Sequence, residues 1–254
     1  MNMKKLVAIG ITAISSLLII SGCGRNSNSS RRTSSVQDNK IAFYKDAQQN
    51  DRWWFRASAD DNDDLSKSSL VTGIWHTKNG KVTRYNTLGN GKLLSLGKIS
   101  KMSDAALTYY AKKKDAQEFK NGQKEEIQGL KEDLAIDKKN GLPAAILKSD
   151  ASKLKQAESD SYSAPQPERI KIAATTDSSG KSMSTEVVYA GTGYHQITMM
   201  TINSPRVQRT IFDKYAVGYV LEDNEGYAVT LTNNKKLETK FDSIKTKGIT
   251  INDN

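Results

Sequence analysis

The sequence predicts an α+β protein: an N-terminal antiparallel sheet with one long or broken helix, then a mainly antiparallel β unit. Three observations carry that expectation. Ser103-Asp104 forms a helix N-cap with an acid in the first turn, and an apolar stripe at helical spacing follows it to Leu134. Asn79-Gly80 stands between two apolar-rich runs and suits a type I′ hairpin, because both residues tolerate positive φ. After Glu168, short apolar runs alternate with turns such as DSSGK at 177–181 and DNEG at 223–226.

Taken in order, the folded part should begin near Ile41. Residues 51–60 contain Trp53, Trp54 and Phe55, the densest aromatic patch in the chain, and read as a strand. The acidic loop DDNDD at 60–64 leads to a second strand at 70–77, which the Asn79-Gly80 turn joins to a third at 81–86. Residues 93–99 read as a further short strand. A helix is expected over 104–138, with a break allowed near Gly122 and an end at Asn140-Gly141. The apolar stretch 142–148 fits no element. Residues 149–168 are polar, and Pro165 and Pro167 oppose regular structure, so 156–167 is expected to link a domain at 41–155 to a β-rich one at 168–254. In the latter, strands are expected at 169–176, 182–190, 194–202, 207–213, 215–222 and 227–232. A helical pattern at 237–245 and an extended 249–251 end the chain.

The N-terminus has its own logic. Lys4 and Lys5 precede an apolar run from Leu6 to Ile20, and Ile20-Ser21-Gly22-Cys23 follows. That reads as a secretory signal peptide over 1–22. The tetrapeptide resembles the lipobox of bacterial lipoproteins, a resemblance that implies a diacylglyceryl group on Cys23 and Cys23 as first residue of the mature protein. The apolar run is shorter than the ~20 residues a membrane span needs. Cys23 is the only cysteine, so lipidation leaves no thiol for a disulfide. Residues 23–40, rich in Ser and Asn, read as a flexible tether.

Formal net charge is +10 for the chain, and loss of Lys4 and Lys5 with the signal lowers it to +8. Most of it lies near the anchor: +5 over 23–97 and +4 over 98–155, against −2 over 156–167 and +1 over 168–254. Such a surface attracts anionic lipid or anionic wall polymers, and Arg25, Arg31 and Arg32 would lie nearest the membrane.

The stretches WWFRAS, IWHTKNGKVTRYNT, LGKISKMSDAAL and KIAATTDSSGK, together with the lipobox, resemble a group of lactobacillar cell-surface lipoproteins. The resemblance covers much of 1–110 and less of 168–254. It implies an extracytoplasmic, lipid-anchored location, and it carries no activity and no catalytic residue.

The chemistry-bearing residues are few. Trp53 and Trp54, with the interleaved Arg52 and Arg56, are the binding candidates. Adjacent strand residues face opposite ways, so at least one of the two Trp faces should enter the core, which leaves the other as a platform for a sugar ring or a partner. Asp60, Asn62 and Asp64 occupy positions 1, 3 and 5 of a calcium loop, but Leu65 and Val71 stand where Gly and Glu are needed. His76 and His195 are far apart in sequence and lack further ligands at zinc spacing. Gly191-Thr192-Gly193 reads as a tight turn. No nucleophile elbow and no nucleic-acid module is recognisable, and no cofactor is expected. The expected function is a non-enzymatic surface module for envelope polymers or a protein partner. The alternatives are a transporter's solute-binding subunit or an envelope hydrolase.

Overall fold

The computed structural model describes residues 39–60, 64–88, 92–192, 196–222 and 226–252. Cys23, most of the tether, Asn62 and His195 lie outside them. The chain order is β1 (Lys40–Ala42), α1 (Phe43–Gln49), β2 (Arg52–Ala57), β3 (Val71–Lys78), β4 (Lys81–Asn86), α2 (Leu96–Ile99), α3 (Asp104–Lys139) and α4 (Ala144–Ser159). There follow β5 (Glu168–Thr176), β6 (Met183–Ala190), β7 (Ile197–Ile211), β8 (Lys214–Leu221), β9 (Tyr227–Thr232), β10 (Glu238–Lys240) and β11 (Ile249–Asn252).

Strands β2 to β9 each pair antiparallel with their sequence neighbour, and β9 pairs back onto β2. The pairings therefore close into an eight-stranded up-and-down barrel, an arrangement that leaves little sheet edge. Its weakest seam joins β4 to β5 through Lys81–Arg169 and Val82–Glu168 alone. Beyond that point β5 pairs in parallel with β11 instead. The α+β class with mainly antiparallel strands is as the sequence predicts.

The barrel interior is filled by side chains from all eight strands, among them Trp54, Trp75, Val82, Ile172, Val188, Ile202, Tyr219 and Ala228. Helix α1 inserts Phe43, whose ring lies 5.1 Å from Trp54 and 6.4 Å from Tyr219. A second cluster covers the outside of β2–β4 and β7–β9, where Leu96, Ile99, Leu107 and Ala111 of α2 and α3 meet Phe55, Ile74, Val207 and Val229.

Strands from both sides of 156–167 thus share one sheet and one interior. The proposed linker is divided: α4 continues to Ser159, and 160–167 lacks regular structure. The helical expectation at 104–138 matches α3, which Ser103 caps by accepting from the Ala106 N–H at 3.3 Å. Gly122 does not break it, and α3 runs as one helix from Asp104 to Lys139. Three expectations differ. Residues 93–99 contain the single turn α2 rather than a strand, because Ser69 O and Lys67 O accept from Leu96 N and Gly97 N and hold the chain curled. The tail at 237–245 holds β10, not a helix, because 238–240 finds a parallel partner in β1. The two strands expected at 194–202 and 207–213 are one continuous β7, which passes Pro205 by register shifts against β8. Asn79 and Gly80 adopt φ of 52° and 71°, as the predicted turn requires. Among the described residues, no helix is long and apolar enough to cross a membrane.

Candidate functional site

Strand alternation divides the aromatic patch. Trp54 points inward and is fully buried. Trp53 and Phe55 point outward, toward α2 and α3. The Trp53 ring stacks on His76 of β3, with centroids 4.4 Å apart and planes 22° apart, and Tyr85 of β4 lies 6.0 Å away. Beside this aromatic row is a cleft of about 480 Å3, whose wall includes Asp51, Arg52, Asp104, Thr108 and Lys214. Six elements or their ends meet here: β2, β3, β9, the end of α2, the start of α3 and the start of β8.

The charges in the cleft are organised. Asp51 accepts a hydrogen bond from Lys78 Nζ at 2.6 Å and contacts His76 Nε2. The Lys78 hydrogen bond is the main reason the Asp51 carboxyl sits below its ordinary range. Arg52 turns inward and donates in a fork to Asp46 of α1, at 2.6 and 2.9 Å. Its charge is therefore occupied, although its stem lines the cleft.

The four sequence candidates do not converge. Arg52 and Trp53 share the cleft, and Trp54 is core. Arg56 lines a separate cavity of about 400 Å3 with Trp75, Arg84 and Asp115, near the short β4–β5 seam. There Asp115 accepts from the Asn86 N–H at 2.7 Å and from the Tyr162 hydroxyl at 2.8 Å, so α3 covers the free edge of β4. Burial and the Asp115 carboxylate push the Tyr162 phenol up to about 12.

In the candidate calcium loop, Asp64 is held by Arg209, whose Nη2 approaches to 2.8 Å. Asp60 Oδ1 accepts from the Asp64 N–H at 3.3 Å. Among the described residues no group of three or more His, Cys, Asp or Glu is placed to hold a metal ion.

A second polar cluster lies inside the barrel. Glu186 of β6 accepts from the Asp242 N–H, while its Oε2 has no hydrogen-bond partner among the described residues. Asp242 caps α1 by accepting from the Tyr44 and Lys45 N–H groups at 2.8 and 3.1 Å. Burial, and then the nearby Asp242 carboxylate, push Glu186 up to about 8. Burial likewise raises Asp242 and drives the Tyr219 phenol far above its ordinary range.

Sequence reasoning missed Asp51, His76, Asp104, Thr108 and Lys214 as members of one site. Only Asp51 is adjacent to the aromatic patch in sequence, and only barrel closure brings Lys214 there. No family profile, curated protein or solved structure matches the chain.

Proposed function

We propose that the chain is a lipid-anchored, extracytoplasmic protein that binds a saccharide-bearing polymer of the cell envelope and performs no chemistry on it. In this reading Cys23 carries the anchor, and residues 23–40 tether the barrel to the membrane. The binding half rests on one observation: the cleft beside Trp53 pairs an aromatic row with hydrogen-bonding groups of both signs. An aromatic face suits the apolar face of a sugar ring, and the Asp104, Thr108 and Lys214 side chains suit its hydroxyls or attached anions.

The rivals find less support. A transporter's binding subunit draws on repeated β-α alternation, whereas β5 to β9 follow one another antiparallel, with no α-helix between them among the described residues. A hydrolase working in this cleft by general acid catalysis needs a carboxyl that keeps its proton near neutral pH, whereas Lys78 holds Asp51 below its ordinary range. The raised Glu186 lies inside the barrel, outside the cleft lining.

The test is co-sedimentation of soluble protein starting at Gly24 with purified cell wall. Trp53→Ala should lower retention roughly fivefold, the loss of one stacked aromatic contact of about 1 kcal/mol. Retention unchanged in that variant removes the cleft from the reading. Labelled fatty acid should enter the full-length protein and not Cys23→Ala, and failure in the unsubstituted protein removes the anchor.

A further inference from the structure

Helices α3 and α4 form an antiparallel hairpin whose far end has no buried residue between 135 and 156. Its apex is the run Gly141-Leu142-Pro143-Ala144-Ala145-Ile146-Leu147, seven residues without a charge. Ile136 is 55 % exposed and Ile146 43 %. An isolated exposed Ile needs no explanation, but an uncharged run at the tip of an arm does.

The apex is also firmly shaped. Gly141 takes φ of 70°, Leu142 N–H donates to Asp137 O at 3.1 Å, and Gly141 N–H donates to Lys138 O at 3.2 Å. This is a Schellman stop, with Pro143 then starting α4. It presents half-buried Leu142 and exposed Ile146 on a convex end, and Lys138, Lys139 and Lys148 flank that end as exposed cations, three against the single half-buried carboxylate of Asp137.

A convex apolar tip with a basic rim fits a surface that admits apolar groups to shallow depth and carries negative charge. That is the chemistry of an anionic bilayer interface, into which lysine stems also extend favourably. We infer that the apex at 136–148 docks in the interfacial layer of an anionic lipid membrane, a second contact beside the proposed anchor. Its orientation toward the cell's own membrane rests on that anchor reading; the affinity itself does not.

Flotation of soluble protein starting at Gly24 tests it, with vesicles of phosphatidylglycerol and phosphatidylcholine against phosphatidylcholine alone. Binding to the anionic vesicles is expected. The double variant Ile136→Asp, Ile146→Asp should lose it roughly tenfold or more, with unchanged melting temperature, because two carboxylates would have to enter the interface. Lys138→Glu with Lys148→Glu should abolish the preference for phosphatidylglycerol. In Leu142→Cys the introduced thiol is the only one, and an environment-sensitive dye on it should brighten with anionic vesicles. Three outcomes overturn the inference: no vesicle binding, binding indifferent to the apex variants, or binding lost only when Arg25, Arg31 and Arg32 are changed to Ser. Failure of Cys23 to take fatty acid would remove the anchor and leave the vesicle result standing.

Discussion

The barrel and the helical hairpin satisfy the same chain by opposite means. In the barrel, each strand hydrogen-bonds on both sides and places large side chains into a shared interior, so a residue's neighbours are distant in sequence. In the hairpin, backbone hydrogen bonds are internal to each helix, and packing is largely α3 against α4. There Gln123 Nε2 donates to the Ala157 and Asp160 carbonyls at 2.8 and 2.7 Å, and Lys131 meets Glu158 at 3.1 Å. One region is held by burial and the other by local propensity, so the same substitution should act oppositely in the two.

Glycine offers the sharpest contrast. A Cβ on Gly218 of β8 would lie 2.0 Å from Ala228 O and 2.7 Å from Val229 Cα, atoms of the neighbouring strand's backbone. Gly218→Ala should therefore destabilise the protein by roughly 3 kcal/mol or more, since β8 and β9 cannot both keep their places. Chemical denaturation reads this directly, and a loss below about 1 kcal/mol would mean that the barrel wall yields.

The next effect belongs to Glu186. Its folded pKa, near 8, lies above the ordinary 4.5, so the folded protein holds a proton that the unfolded chain has released across that interval. Stability is therefore fully present below about pH 4.5 and is lost as pH rises toward and through 8, by several kcal/mol in order of magnitude. Glu186→Gln should flatten the profile between pH 5 and 9. Thermal unfolding across that range checks it, and a variant with the same slope as the parent would place the titration elsewhere. In the hairpin the buried carboxylate, Glu118 of α3, is ion-paired with Lys114, whereas Glu186 has no cationic partner of that kind among the described residues; hydrogen exchange across the same pH range would separate the two regions.

The smallest effect has the opposite sign. Gly129 lies inside α3, and a Cβ there meets nothing within 4 Å. Gly129→Ala should stabilise the helix by about 0.5–1 kcal/mol, through reduced freedom of the unfolded chain. Slower hydrogen exchange in α3, with little change in the barrel, is the expected result. Equal slowing in both regions would show that they unfold as one unit.

Much of this architecture is local enough to be read from the residues. The Asn79-Gly80 turn, the Ser103 cap, the Asn140-Gly141 stop and most strands of the barrel follow from backbone preferences and from side-chain period. Helix α4 was less legible because its sequence is mostly polar with only Ala157 buried, and α3 supplies the partner that holds it. The opposed directions of Trp53 and Trp54 were implicit in strand alternation, but their surroundings were not. Closure of β9 onto β2 pairs Phe55 with Val229, and it brings Lys214 to the cleft beside Trp53. Asp242 likewise caps a helix that starts 199 residues earlier, at Phe43. Local energies set each turn and strand, whereas these meetings depend on the stagger with which eight strands close. That stagger is a property of the whole ring, which no short window of sequence contains.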